Sequence, residues 1–111
     1  MATSGIYSIT NMVDGKIYVG SAEHLHKRWL AHRRELRGNR HPNVHLQNAW
    51  HVHGESAFVF AITETCAREH VLDREQAALD RLFAETPRQD IYNIARCAEA
   101  PRTGLKDSMA T

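Results

Sequence analysis

Glu75 stands where this 111-residue sequence most plainly asks for a chemical partner. It lies inside the apolar stripe of a helical pattern, at i+3 from Leu72 and i−4 from Leu79, where a carboxylate loses its hydration unless a cation, a proton or a metal ion satisfies it. Arg28 and His32 are four residues apart, one helical turn, and Tyr7 and Tyr18 sit in two short runs rich in Ile, Tyr and Val. Around Arg28, residues 27–40 hold six basic groups (Lys27, Arg28, Arg33, Arg34, Arg37 and Arg40) against one acid, Glu35, a net of +5; the rest of the chain holds 8 basic and 12 acidic groups, a net of −4. A basic patch on a mildly acidic body is the footprint expected where phosphates dock. Each feature alone has an ordinary reading. A strand tyrosine packs, an arginine beside a stripe is a surface charge, a charge run solvates a helix face, and Glu75 pairs with Arg28 or another cation. Together they outline an α+β domain with a candidate phosphate site.

Those residues need elements to position them. Gly5 to Asn11 and Lys16 to Ser21 read as strands, and Asp14-Gly15 between them is a two-residue hairpin signal. With that loop, partner numbers sum to 29, Asn11 faces Tyr18, and odd positions of the first strand share a face with even positions of the second, so Tyr7 and Tyr18 project together. Ser21 is the expected N-cap of a helix over 23–37, stopped by Gly38-Asn39, whose stripe of Leu25, Trp29 and Leu36 is bordered by Arg28 and His32. After Pro42, a second short helix spans Asn43 to His53, with Val44, Leu46, Ala49 and Trp50 near helical spacing. Ala57 to Glu64 reads as a strand with Phe58, Phe60 and Ile62 on one face and Val59 and Ala61 on the other, covered on both sides as a central strand is. A third helix runs from Arg68 to Glu85, burying Val71, Leu72, Ala78, Leu79, Leu82 and Phe83, and Ile91 to Ala95 is a short closing strand. The expected architecture is α+β, a small three-stranded mainly antiparallel sheet flanked by three helices, with the site on the sheet face that carries Tyr7 and Tyr18.

Composition bounds the rest. A hydrophobic content of 42% suffices for one modest core, and no apolar run approaches the roughly 20 residues of a membrane span. The expectation is a soluble cytoplasmic protein without a secretory signal. Cys66 and Cys97 form no metal-spaced pair and are expected to be buried filler. Eight histidines invite a zinc reading through His24 and His26, His41 and His45, or His51 and His53. That reading is disfavoured, because residues two apart on a helix point in different directions and no Cys or acidic set at zinc spacing accompanies any pair.

The triplets Gly5-Ile6-Tyr7 and Tyr18-Val19-Gly20 resemble those of the GIY-YIG nuclease superfamily, with Val in place of Ile in the second. The resemblance continues in order through Gly20-Ser21, Lys27-Arg28-Trp29 with His32, His41 just past the first helix, Glu75 in the third, and Tyr92-Asn93-Ile94. It covers Ser4 to Ala95 and is to the catalytic domains of phage-type homing endonucleases. It implies a metal-dependent DNA endonuclease over residues 1–97 that nicks one strand of double-stranded DNA per active site, leaving 5′-phosphate and 3′-hydroxyl ends. It further implies Glu75 as protein ligand of one divalent cation, Mg²⁺ or alternatively Mn²⁺, with water and phosphate oxygens completing the shell. Arg28 would hold the scissile phosphate, and Tyr7 would orient or deprotonate the attacking water. A phenol of pKa near 10 is a poor base at neutral pH, so that role needs phenolate stabilisation by cations or a relay to His32. Tyr18 would share the water or line the phosphate, His41 would lie near the phosphate, and Asn93 would be a structural hydrogen-bonder. Lys27, Arg33, Arg34, Arg37 and Arg40 would meet the DNA backbone. The enzyme is expected to be a monomer, with a transient dimer for double-strand cuts.

Alternatives are a catalytically silent DNA-binding module, a protein-interaction or metal-storage domain, and a stand-alone restriction or repair nuclease. A silent module has no physical need for Tyr7, Tyr18, Arg28, His32 and Glu75 together. Residues 98–111, with Pro101 and Gly104, read as a linker-like tail; 100–108 resembles the start of short DNA-binding modules that follow such nuclease domains, with Asp107 where those have His.

Overall fold

In the computed structural model, which describes residues 3–95, the amino-terminal hairpin forms from β1 (Gly5–Asn11) and β2 (Ile17–Ala22). Its register differs from the expected one by two residues: Gly5 pairs with Ala22, Tyr7 with Gly20 and Thr10 with Ile17. The cause is Asn11, whose Oδ1 accepts the Val13 N–H at 3.0 Å and starts the turn early. The turn closes through Gly15 N–H to Asn11 O at 2.7 Å, with Gly15 at φ 81°, so Asp14-Gly15 is the second half of a four-residue loop. A slip of two residues preserves alternation, and Tyr7 and Tyr18 stay on one face.

β3 (Phe58–Thr65) pairs antiparallel with β1 on its other side, giving the order β2-β1-β3. The expectation of a central third strand is therefore corrected. β1 is the central strand, buried at all but one position, while β3 is an edge with Val59 46% and Ile62 51% exposed. An apolar run reports that a strand packs, and not how many strands flank it.

α1 (Leu25–Arg37) starts later than expected, and Ser21 belongs to β2 instead of capping it. The N-terminal turn is tied through Leu25 N–H to Thr3 O at 2.9 Å. α2 (Val44–His53) has Asn43 as its N-cap, with Oδ1 accepting the Leu46 N–H at 3.0 Å. Together with the sheet face of Tyr7 and Ile9, these helices enclose a core containing Leu25, Leu36, Leu46, Trp50, Phe58 and Tyr92; Val44 is exposed. α3 (Val71–Glu85), preceded by a 3-10 turn at Arg68–His70, covers the opposite face by packing Leu79, Ala78, Leu82 and Phe83 on Ile6, Val19 and Ile17. Leu72, expected in that stripe, is 39% exposed.

The closing strand expected at Ile91 to Ala95 is a single parallel bridge, Ile17 to Ile91, with Tyr92 N–H bonded to Ile17 O at 2.7 Å. Beyond it the Asn93 carboxamide takes over: Oδ1 accepts the Val19 N–H and Nδ2 donates to Val19 O, both at 2.8 Å. One side chain thus supplies the two bonds a further strand residue would make. Cys66 is only half-buried, contrary to expectation, while Cys97 and the 98–111 tail lie outside the described residues. Among the described residues no helix is long and apolar enough to cross a membrane.

Candidate active site

A cleft of about 700 Å³ opens at the β2 edge, lined by Tyr7, Tyr18 and Gly20 from the hairpin, Lys27, Arg28 and Glu35 from α1, His41 before α2, and Ser21 with Glu75 of α3. The expected place, one face of the sheet, is corrected. Tyr7 and Tyr18 lie on the α1 side, whereas Ser21 and Glu75 belong to the α3 side and meet them around the outer strand. Gly20 makes the meeting possible: a Cβ there would come 2.4 Å from Tyr7 Oη and 2.6 Å from Cζ, so the Tyr7 ring lies directly across the glycine.

Behind the cleft a chain of buried polar groups leads from Tyr7 into the protein. Tyr7 Oη is 2.5 Å from His32 Nε2, His32 Nδ1 is 2.7 Å from His41 Nε2, and His41 Nδ1 accepts the backbone N–H of Asn43 at 3.0 Å. Burial holds the Tyr7 phenol well above the ordinary tyrosine value; Tyr18 and Glu75 add to this, and Arg28 opposes it by charge and hydrogen bonding. Burial also pushes His32 down to about 2, helped by Arg28 and His41, and lowers His41 despite nearby Glu35. Both imidazoles are therefore neutral at physiological pH. Burial disfavours the Arg28 cation, yet Tyr7, Tyr18 and Glu35 hold its pKa above the ordinary arginine value, so it remains charged.

Glu75 is half-buried, and its Oε1 accepts the Ser21 hydroxyl at 2.5 Å. Carboxylate and hydroxyl oxygens facing one cleft are hard donors, a set that suits a hard divalent cation and not a soft ion. Another trio, His32, Glu35 and His41, brings three ligand atoms within 4.8 Å of one another. Its hydrogen bonds oppose a metal there. A cation on His41 Nε2 would leave the proton on Nδ1, directed at the Asn43 N–H that already donates to it. Of the other histidines, His24, His26 and His45 are exposed, His51 bonds Asn39 and His53 lies 3.9 Å from Asp14, so the zinc pairs are not assembled.

The basic stretch divides. Lys27 and Arg28 line the cleft. Arg33 lies over the Trp29 ring at 5.9 Å, Arg37 is paired bidentately with Glu55, and Arg34 and Arg40 are exposed outside the cleft lining. Asn93 is likewise outside it, holding β2. Sequence reasoning missed Ser21 as the Glu75 partner, Glu35 as a lining residue with a buried Oε1 that lacks a hydrogen-bond partner, and Asn43 and Gln47 as the anchors of His41. Only Asn43 left a local signal, an Asn ahead of an apolar-periodic run.

This fold and cleft define a small nuclease domain. The chain is 31% identical, with a TM-score of 0.75, to the catalytic domain of intron endonuclease I-TevI in its E75A mutant, over 88% of this chain and 99% of that one. It is 33% identical, with a TM-score of 0.71, to the catalytic domain of homing endonuclease I-TevI, over 83% and 98%. The family model of the GIY-YIG catalytic domain matches residues 3–85, and the chain belongs to the GIY-YIG family. It is also 35% identical over 94 residues to Intron-associated endonuclease 1 of Enterobacteria phage T4, covering 83% of this chain but 37% of the phage protein's length.

Proposed function

We propose that this domain hydrolyses phosphodiester bonds in double-stranded DNA, nicking one strand per active site with a single divalent cation, Mg²⁺ or Mn²⁺, and acting as a monomer in the cytoplasm. The observation that carries the reading is the gathering of Tyr7, Tyr18, Arg28 and Glu75 in one cleft from both faces of the sheet. Glu75, supported by Ser21, would hold the cation, which when bound supplies Lewis acidity toward the phosphate and offsets the carboxylate charge beside Tyr7. Arg28 binds the scissile phosphate through its planar fork and opposes the negative charge that grows on it. Lys27 adds a second positive charge at the cleft wall. Tyr7 Oη orients the attacking water and handles its proton in this reading, supported by its position in the cleft lining beside Arg28 and Glu75. Burial keeps Tyr7 a phenol even with Arg28 beside it, and a cation held at Glu75 would add positive charge that favours its ionised form. Tyr18, its ring centroid 6.4 Å from that of Tyr7, shares the water-facing wall. The likeness to an intron-associated endonuclease supports DNA as substrate, and the products proposed carry 5′-phosphate and 3′-hydroxyl ends. Supercoiled plasmid incubated with Mg²⁺, and in parallel with excess chelator, tests the reading. Open-circular DNA should accumulate only with the ion, and equal nicking in both would refute the cation's role.

A further inference from the structure

The hydrogens of the chain behind Tyr7 can be assigned from its one fixed donor. The backbone N–H of Asn43 can only donate, and it points at His41 Nδ1. The proton of neutral His41 therefore sits on Nε2 and is donated to His32 Nδ1. His32 in turn carries its proton on Nε2 and donates it to Tyr7 Oη. The opposite order would set Nδ1–H of His41 against the Asn43 N–H at 3.0 Å.

We propose that the first turn of α2 fixes this proton order and that Gln47 is the positioning residue that maintains it, so that Tyr7 Oη receives a hydrogen bond from His32 and turns its own proton toward the cleft. The inference rests on the reading of Tyr7 as the group that handles the attacking water. Gln47 is buried and bonded at both ends: Oε1 accepts the His41 N–H at 2.9 Å, and Nε2 donates to Leu36 O at 3.0 Å. It thereby ties the last turn of α1 to the segment that carries His41. Asn43 is equally constrained, its Oδ1 capping α2 and its Nδ2 donating to Tyr92 O at 2.9 Å. A consequence separates this order from a simple relay. His32 Nε2 has no free lone pair, so it does not take the Tyr7 proton; it stabilises the phenolate by donating to it.

Ring ¹⁵N chemical shifts of histidine-labelled protein distinguish the two neutral tautomers. Both His32 and His41 should be the Nε2–H form; an Nδ1–H tautomer at His32 would overturn the proposal. Gln47→Leu removes both bonds, whereas Gln47→Glu, buried as the neutral acid, keeps an acceptor for the His41 N–H and an O–H donor for Leu36 O. Gln47→Leu should mix the tautomers and lower kcat for plasmid nicking by about tenfold to a hundredfold at unchanged KM, the weight of one lost hydrogen bond to a charged group. Gln47→Glu should restore the tautomers and most of kcat. A Gln47→Leu protein with uniform tautomers and normal kcat would refute the positioning role; should that variant fail to fold, the tautomers of the unaltered protein and of Gln47→Glu decide the question. Normal nicking by Tyr7→Phe, with the expected tautomers present, would instead overturn the reading of Tyr7 and leave the proton order standing.

Discussion

Gly20→Ala tests how tightly the cleft is built. The added methyl would sit 2.4 Å from Tyr7 Oη, and ordinary contact begins at 3.4 Å, so the phenol must withdraw by about 1 Å. It has little room to do so: Tyr7 is 1% exposed, its hydroxyl is bonded to His32, and its ring is packed against Phe60 at a centroid distance of 5.2 Å. Overpacking of this kind destabilises by about 1–3 kcal/mol. Displacing a reacting group by about 1 Å costs on the order of a hundredfold in rate. The expected result is a protein that folds, melts several degrees lower, binds DNA with near-normal affinity and nicks plasmid about a hundredfold more slowly under single-turnover conditions. In a Tyr7→Phe background the same change should cost little further activity, because both substitutions act on one hydroxyl. Near-normal nicking by Gly20→Ala alone would show that the position of Tyr7 Oη does not govern the reaction.

Arg28→Lys should lower kcat about a hundredfold, since one ammonium does not reproduce the guanidinium fork; turnover close to that of the unaltered protein would reduce Arg28 to a wall charge. Glu75→Ala should abolish cation-dependent nicking while circular dichroism shows the fold retained, and activity that still rises with Mg²⁺ would remove Glu75 from the cation site. The neutral histidines link stability to acidity. Because the folded pKa of His32 and of His41 lies below the free value near 6.5, the unfolded chain binds protons that the fold refuses. The stability is present in full above that value and is lost as pH falls below it, by about 1.4 kcal/mol per pH unit for His32 alone. Urea midpoints at pH 7.5 and 5.5 should differ accordingly, and a flat response would mean that His32 is protonated in the fold.

Local patterns were legible in proportion to how little they depended on distant partners. The shared face of Tyr7 and Tyr18 survived an incorrect loop length because alternation has a period of two and the Asn11 turn shifted the register by two. Asn43 was legible as the start of α2 because capping involves only the next turn. Ser21 was misread for the complementary reason. A serine ahead of a helical run looks like a cap, yet its hydroxyl goes to Glu75, 54 residues away. Gln47 and Glu35 left no local trace, since their importance comes from His41, which only the tertiary fold brings against them.

The location of the site follows from a geometric constraint that no local pattern carries. A sheet keeps the side chains of its two faces apart, so Tyr7 below α1 and Glu75 on α3 cannot meet through it. They meet around an edge strand, and only where that strand is thin. β2 is such an edge, and Gly20 supplies the thin place by letting Tyr7 lie across it without a side chain between. An edge strand also exposes backbone groups that invite pairing with another chain. Here Tyr92 occupies Ile17 O and the Asn93 carboxamide occupies both polar groups of Val19, so the amino-terminal part of the β2 edge is closed. The next residues along the strand, Gly20 and Ser21, belong to the cleft lining instead, together with Tyr18. Asn93 lies outside the cleft lining and holds β2 at Val19, next to the Gly20 that pairs with Tyr7. Its carboxamide is bound by two hydrogen bonds to backbone groups of the strand that forms the cleft wall.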